Sequence, residues 1–158
     1  MILEVIHMTK TTLFVVIIFI KICFSSVQAE TVNSVDFLNQ GSNPNAPFSE
    51  AVRAGNTLYL AGKLGYIQAE RRLASGGIKG ETKQAMDNIK GTVEKYGYAM
   101  SDLIKCTAIL ADVDEWAAFN EVYTTYFEKG RYPARTAFAA KQLALNARIE
   151  VECIAYKE

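Results

Sequence analysis

The sequence predicts a single α+β domain in which two helices cover one face of a mixed β-sheet. Two segments carry apolar residues at helical spacing, one over residues 81–96 and one that opens at Asp112. Runs of β-branched and apolar residues come before, between and after these segments. We find no internal repeat or low-complexity tract that would mark a second domain. Strands and helices arranged in this way form a layered α+β domain.

Residues 1–29 have the three-part composition of a secretory signal peptide. A short basic start at Met8 is followed by an apolar run over residues 13–20 and by small residues up to Ala29. A membrane anchor is the alternative, but Lys21 interrupts the run well short of the roughly 20 apolar residues that a spanning helix needs. We therefore expect cleavage after Ala29, export to the periplasm or the extracellular space, and no stable membrane anchor.

The remaining residues 30–158 suffice for one domain with a real core. The chain has 17 basic and 17 acidic side chains, and the leader removes two basic and one acidic, which leaves a net charge of −1. Because nucleic acid binds to a basic face, this charge argues against a nucleic-acid partner. The single histidine, His7, also leaves with the leader. Catalysis would then use carboxylates, Arg, Lys, Tyr or backbone groups, since no imidazole remains to ligate a metal.

The first half of the domain is predicted to be a hairpin followed by a helix. Strands over residues 49–53 and 57–61 flank a turn-forming cluster around Gly55, and a flexible glycine-rich connection follows. The helix runs from Glu81 to Tyr96, and Gly97 stands where a helix-ending glycine belongs. Its apolar stripe consists of Met86, Ile89, Val93 and Tyr96.

The second half begins with a predicted strand over residues 104–110. Asp112 and Glu115 have the spacing of a capping box that opens the second helix, and Gly130 is expected to end it. After this helix the chain is expected to run extended over residues 133–140. The apolar stripe of the helix consists of Trp116, Phe119, Val122, Tyr123, Tyr126 and Phe127.

The last strand, residues 148–156, has two faces of different composition. One face is apolar and the other is mixed, with Ile149, Val151, Cys153 and Ala155 against Glu150, Glu152, Ile154 and Tyr156. The apolar face must pack under the helices, so the mixed face lies on the open side of the sheet. Self-association would cover that side.

Arg135 and the two glutamates of the last strand are the candidates for chemistry. Pro133 fixes the backbone before Arg135, and a guanidinium on a rigid stem suits bidentate capture of a carboxylate. A solvated arginine or a surface ion pair is the alternative. Because an unpaired buried carboxylate is costly, Glu150 and Glu152 either face water or form interface ion pairs with Arg135 or Arg148.

Two cysteines remain in the domain, too few for a structural zinc site. Cys106 and Cys153 are both expected on the helix-facing side of their strands. Buried thiols behave as small apolar groups, so we expect free thiols. A disulfide is the alternative if the two strands are neighbours.

Five segments carry a further pattern, which extends from about Pro47 to Ala155. They are PFSEAV at residues 47–52, ETKQAMDNI at 81–89, FNEVY at 119–123, YPART at 132–136 and IEVECIA at 149–155. In this order and spacing, the segments closely resemble the signature of the RidA/YjgF family of reactive-intermediate deaminases.

The resemblance implies a chorismate-mutase-like fold and a homotrimer with clefts between subunits. Family members hydrolyse reactive enamines and imines, such as 2-imino acids, to 2-oxo acids and ammonia without a metal or cofactor. By this resemblance Arg135 would bind the substrate carboxylate, and Glu150 would position or activate water. Asn120 and Gly62 also match site residues of the family.

The chain departs from the family archetype at three positions. Phe48 stands where the archetype has Tyr, Ala61 where it has Ser, and Ala137 where it has Cys. The expected cleft is thus more apolar, with Phe48 and Ala137 among its substrate-binding positions. This leaves two hypotheses open: an imine deaminase with altered preference or weakened turnover, and a non-catalytic module that binds small carboxylates. An RNA-cleaving role, proposed for relatives, conflicts with the charge.

Overall fold

The computed structural model describes residues 34–39 and 45–158, which lie in one compact unit. The expected signal peptide lies outside the described residues. The secondary structure consists of β1 (Val35–Leu38), β2 (Ala51–Ala54), β3 (Thr57–Leu60), β4 (Lys63–Leu64), β5 (Tyr66–Ile67), β6 (Arg72–Leu73), α1 (Gly77–Lys95), β7 (Leu103–Leu110), α2 (Trp116–Tyr123), β8 (Ala134–Ala139) and β9 (Ile149–Tyr156).

The main sheet is mixed, in the order β1-β2-β3-β9-β7-β8, and β4 pairs with β9 beyond the end of β3. The β7–β8 pair is parallel and the other pairs are antiparallel. Strands β5 and β6 form a separate ribbon. The helices α1 and α2 contact each other and contribute buried residues to the core above β9. The predicted α+β fold with a mixed sheet and two helices is confirmed. Neither helix of the described part is long and apolar enough to cross a membrane.

The predicted hairpin forms between β2 and β3. Ala51 pairs with Leu60, and Gly55 takes a positive φ of 55° in the turn. The connection after β3 was expected to be irregular, yet it contains β4, which continues along β9 after a break in register. Gly65 then approaches α1 so closely that a Cβ would lie 2.5 Å from the Glu81 Cα. The first strand, β1, was not predicted.

Helix α1 begins at Gly77, four residues before the predicted start. Its first turn contains two glycines, which hide the helical pattern, but Ile78 in this turn is buried in the core. The C-terminal end agrees with the prediction. Gly97 has φ 86°, and the Tyr98 amide donates to the Val93 carbonyl at 2.9 Å.

The predicted capping box does not form. The Asp112 carboxylate accepts a hydrogen bond from the Asp114 amide at 3.0 Å, but the Glu115 carboxylate binds the Arg148 guanidinium. A 3₁₀ turn, Val113–Glu115, therefore precedes α2. The stronger charge-assisted bond to Arg148 takes the side chain that a capping box would need.

The second helix is shorter than predicted. It ends at Tyr123, a 3₁₀ turn follows, and Phe127 is already extended, so Gly130 does not end the helix. The Thr124 hydroxyl donates to the Asn120 carbonyl at 2.9 Å, and the Thr125 hydroxyl donates to the Val122 carbonyl at 2.7 Å. These side-chain bonds compete with helix continuation and explain the early end.

Strand β9 alternates as predicted. Its apolar residues are buried under the helices, whereas Glu150 and Ile154 are half-buried and Glu152 and Tyr156 are exposed on the open face. The start of the strand is held by the Arg148 amide, which donates to the buried Glu81 carboxylate at 2.8 Å. A hydrogen bond from α1 thus positions the strand that carries Glu150.

The expectation of free thiols is wrong, because Cys106 and Cys153 form a disulfide. The two residues are direct partners in the β7–β9 register and point to the helix side, as expected. Opposite residues of antiparallel strands have β-carbons close enough for a disulfide. The register of β7 with β9, which cannot be derived from the sequence, therefore decides that the disulfide forms.

Reduction of this disulfide should lower the free energy of unfolding by about 2–4 kcal/mol, because the bond closes a loop between residues 47 apart. Denaturant titration with and without dithiothreitol measures the change. In the control variant Cys106→Ala/Cys153→Ala, dithiothreitol should leave the denaturation midpoint unchanged. Equal midpoints for oxidised and reduced wild-type protein would contradict the prediction.

Candidate functional site

Arg135 lies on β8 beneath α2. It is in register with Cys106 of β7, so its side chain points to the helix side of the sheet. The guanidinium carbon lies 4.7, 5.3 and 5.5 Å from the ring centroids of Tyr123, Phe119 and Trp116. Three cation–π contacts therefore hold the charge in place. Within residues 34–39 and 45–158, no acidic side chain pairs with Arg135. Its N–H donors remain available for a ligand.

Arg135 opens into a cleft of about 460 Å³ whose wall includes Asn120, Tyr123, Tyr132 and Pro133. The Asn120 Oδ1 and the Tyr123 hydroxyl are buried and have no hydrogen-bond partner in the described part of the chain. Burial raises the pKa of the Tyr123 hydroxyl, although the charge of Arg135 acts in the opposite direction. Buried polar atoms without partners are costly, so both are ready to bind a polar ligand or a water molecule. Sequence reasoning missed Tyr123 as a site residue, although it lies three residues after Asn120 on the same helix.

Glu150 lies on the open face of the sheet, over Gly62. A Cβ added to Gly62 would lie 2.0 Å from Glu150 Oε1 and 2.9 Å from its Cδ. Only glycine at this position leaves room for the carboxylate. Burial, and secondly the like charge of Glu152, raise the pKa of Glu150. Arg148 pairs with Glu115, so the ion pair considered between Arg148 and Glu150 is not formed.

Gly62 also lines a second cleft of about 580 Å³, together with Phe48 and Ala61. The Phe48 ring is 66% exposed, so its face is available for contacts with a ligand or another chain. This cleft extends past the free edge of β4 towards α1, where Glu50 and Lys63 line it. The sequence analysis identified Phe48, Ala61 and Gly62, but it missed the charged residues at the far end.

The candidate residues therefore fall into two groups. The Glu150 half-site contains Phe48, Ala61, Gly62 and Glu150, and the Arg135 half-site contains Asn120, Tyr123 and Arg135. Ala137 lies two residues after Arg135 and packs against the core.

The two half-sites lie on opposite faces of the sheet. Arg135 is level with Cys106, whereas Glu150 is level with Ile109, and β7 lies between their strands. Strand spacing and rise place the two Cα atoms about 14 Å apart. The considered ion pair between Arg135 and Glu150 does not form within one chain, and a single chain does not bring the two residues together.

Neither half-site resembles a metal centre. In the part of the chain that the structure describes, no group of three or more His, Cys, Asp or Glu side chains could hold a metal ion. The chemistry available to the two half-sites is that of one guanidinium, one carboxylate and hydrogen-bonding polar groups.

Together, the fold and the half-sites define a small α+β domain with an arginine held among aromatic rings and a carboxylate held over a glycine. A family model described as Endoribonuclease L-PSP matches residues 39–157. A RutC family protein of Pyrococcus horikoshii is 39% identical over 127 residues, which cover 80% of this chain and all of that protein. A 2-iminobutanoate/2-iminopropanoate deaminase of Capra hircus is 38% identical and covers 69% of this chain and 79% of its own length.

The solved structures agree with these matches. The crystal structure of RidA from the Antarctic bacterium Psychrobacter sp. superimposes with a TM-score of 0.68 at 30% identity, and it covers 77% of this chain and 94% of that one. The chain belongs to the RidA/YjgF family, the group that the family model describes as Endoribonuclease L-PSP.

Proposed function

We propose that the protein hydrolyses reactive enamines and imines, converting 2-imino acids into 2-oxo acids and ammonia. The observation that carries the proposal is a guanidinium and a half-buried carboxylate, Arg135 and Glu150, neither of which has an acidic or basic partner within the described residues. Relatives named 2-iminobutanoate/2-iminopropanoate deaminase, such as those of Capra hircus and Homo sapiens, support the reaction class.

In this mechanism Arg135 binds the substrate carboxylate. Two parallel N–H···O bonds from a guanidinium fix a carboxylate in distance and orientation. The rings of Trp116, Phe119 and Tyr123 restrain the guanidinium before the substrate arrives. Because aromatic rings carry no net charge, they leave the positive charge uncompensated for the ligand.

Glu150 is the group that activates water. The imine carbon is already electrophilic, so water adds to it while the carboxylate accepts a proton, and two proton transfers to nitrogen release ammonia. The carboxylate must be ionised to act as a base. Because its pKa is raised, turnover should fall at a higher pH than for an ordinary glutamate as the solution is acidified. A raised pKa also strengthens the base.

The two half-sites would combine across a subunit boundary. They lie on opposite faces of one sheet, so Glu150 of one protomer can meet only the partner's Arg135. The open face also carries exposed aromatic residues, Phe37, Tyr59, Phe138 and Tyr156, which a neighbouring protomer would cover. A homotrimer with three such clefts would both join the two half-sites and cover these aromatic residues.

The alternative is a trimer that binds small carboxylates without turnover. Phe48, Ala61 and Ala137 lack the polar side chains that the archetype has at these positions. Arg135 serves both functions, whereas a carboxylate seated over Gly62 is needed only by the enzyme. Because residues 30–158 carry a net charge of −1, nucleic acid is the least favoured class of ligand.

Substitutions of the two charged residues should have different effects. Arg135→Ala should weaken 2-oxo acid binding and lower kcat/KM, because truncating one partner of a buried charge pair costs about 2–5 kcal/mol. Glu150→Gln keeps the shape but accepts no proton, so affinity should stay near wild type while turnover falls about 100-fold or more. Calorimetry with 2-oxobutanoate measures affinity, and ammonia release from freshly generated 2-iminopropanoate measures turnover.

Arg131→Ala and Glu128→Gln are the matched controls, because both side chains are exposed and lie outside the two half-sites. They should retain wild-type affinity and turnover. Wild-type protein that binds the oxo acid through Arg135 without accelerating hydrolysis would establish the binding module instead. An Arg135→Ala variant with unchanged affinity and rate would show that the site is misplaced.

A site shared between protomers should be restored when two defective variants are mixed. Equal amounts of Arg135→Ala and Glu150→Gln chains, refolded together, should regain about a quarter of wild-type turnover, because random assembly joins an intact glutamate to an intact arginine at that frequency. Each variant refolded alone is the control. A mixture that is no more active than the two separate variants would contradict the shared site, as would a monomeric mass by light scattering.

We further propose that the protein acts outside the cytoplasm, after removal of residues 1–29. The leader-like composition is one support, and the Cys106–Cys153 disulfide is the second, since disulfides persist in oxidising compartments. N-terminal sequencing of the protein from the exported fraction should begin at Glu30. Recovery of the protein only from the cytoplasm, or with residue 8 still present, would refute this proposal.

A further inference from the structure

The far end of the 580 Å³ cleft holds a cluster of charged side chains beside α1, which we name the Lys63 cluster: Glu50, Lys63, Lys95 and Tyr96. The Glu50 carboxylate accepts hydrogen bonds from Lys95 Nζ at 2.6 Å and from the Tyr96 hydroxyl at 2.8 Å, both on its Oε2. Lys63 Nζ lies 3.6 Å from the other oxygen, Oε1. The cluster thus contains two ammonium groups and one carboxylate; the Asp87 carboxylate, which binds Lys83, also lines the cleft.

Lys63 is the incompletely bonded member of this cluster. Its side chain is only 17% exposed, and a separation of 3.6 Å from Glu50 is longer than a good hydrogen bond. Burial lowers the pKa of Lys63, and Glu50 offsets only part of this change. A buried ammonium whose single acidic partner already binds two other groups gains from a second carboxylate.

Lys63 is also adjacent in sequence to the glycine beneath the Glu150 carboxylate. It directly follows Gly62, the residue over which the Glu150 carboxylate lies. In the register of β4 with β9, Lys63 pairs with Val151 on the helix side, and β4 has no partner on its other edge among the described strands. Gly62 has no side chain of its own at this edge, so a ligand that contacts the Glu150 carboxylate has room to extend across the edge towards Lys63.

We propose that Lys63 binds a second, distal carboxylate of the substrate, so that the cleft favours 2-imino acids with an acidic side chain. This inference rests on the proposed function, in which the partner's Arg135 holds the first carboxylate and Glu150 faces the imine carbon. Phe48 and Ala61 line the same cleft as Lys63 and provide an apolar wall for the part of the substrate between its two carboxylates. Lys63 is then a specificity-determining residue, and it takes no part in proton transfer.

Calorimetry with two stable five-carbon ligands tests the subsite. 2-Oxoglutarate and 2-oxopentanoate share the 2-oxo acid group and chain length, and only 2-oxoglutarate has a distal carboxylate. The wild-type protein should bind 2-oxoglutarate about 10-fold more tightly, the gain expected from one charge-assisted hydrogen bond. Lys63→Met should abolish this preference while its affinity for 2-oxopentanoate stays within about 2-fold of wild type.

Two further variants separate the role of Lys63 from charge and folding effects. Lys90→Met removes one positive charge from α1, at a side chain that is 52% exposed. This variant should keep the preference for 2-oxoglutarate. Lys63→Arg retains the charge and should also keep it. If Lys63→Met does not fold, Lys63→Gln takes its place, and it should likewise lose the preference for 2-oxoglutarate.

Equal affinities of the wild-type protein for the two ligands would overturn the subsite, as would a preference that survives in Lys63→Met or a failure to bind either ligand. The proposed function is tested separately, by ammonia release from 2-iminopropanoate. Ammonia release without the ligand preference would reject the subsite alone. The preference without ammonia release would support the subsite and reject the deaminase.

Discussion

The structure depends on strand β9, which must satisfy two environments at once. Its apolar side chains complete the core beneath α1 and α2, and its other face carries Glu150 and Glu152. The strand pairs with β3, β4 and β7, so a shift of one residue would bury both carboxylates and break every pairing. The buried Glu81 carboxylate and the Cys106–Cys153 disulfide hold the strand in this register. The position of Glu150 over Gly62 follows from it.

The same two-sided sheet explains why one chain does not contain a complete site. Arg135 is held on the helix side by aromatic rings, and Glu150 lies on the open side. If both were on one face and close together, each would neutralise the other, and neither would be available to a substrate. Their separation keeps a positive and a negative group unpaired within one chain, as the proposed shared site requires.

The cleft differs from that of the family archetype in a consistent direction. Phe48, Ala61 and Ala137 remove polar side chains from the candidate site, while the guanidinium and the carboxylate are retained. Hydrolysis of an imine requires little more than oriented water and a proton acceptor. The apolar wall and Lys63 beyond it fit the proposed preference for substrates with a second carboxylate, and that preference does not require the missing polar side chains.

The sequence by itself determined the α+β class, the hairpin, the alternation of β9 and the family, because these depend on local periodicity and on short motifs. It also singled out Arg135 and Glu150 as candidate site residues, by their position and by the family motifs. It did not reveal β1 and β4, whose two to four residues are too short to show a period. The length of α2 was decided by threonine hydroxyls that bind its carbonyls. The disulfide, the aromatic rings around Arg135 and the Lys63 cluster required the tertiary structure, because each joins residues that are distant in sequence. Only strand register and helix packing set those distances.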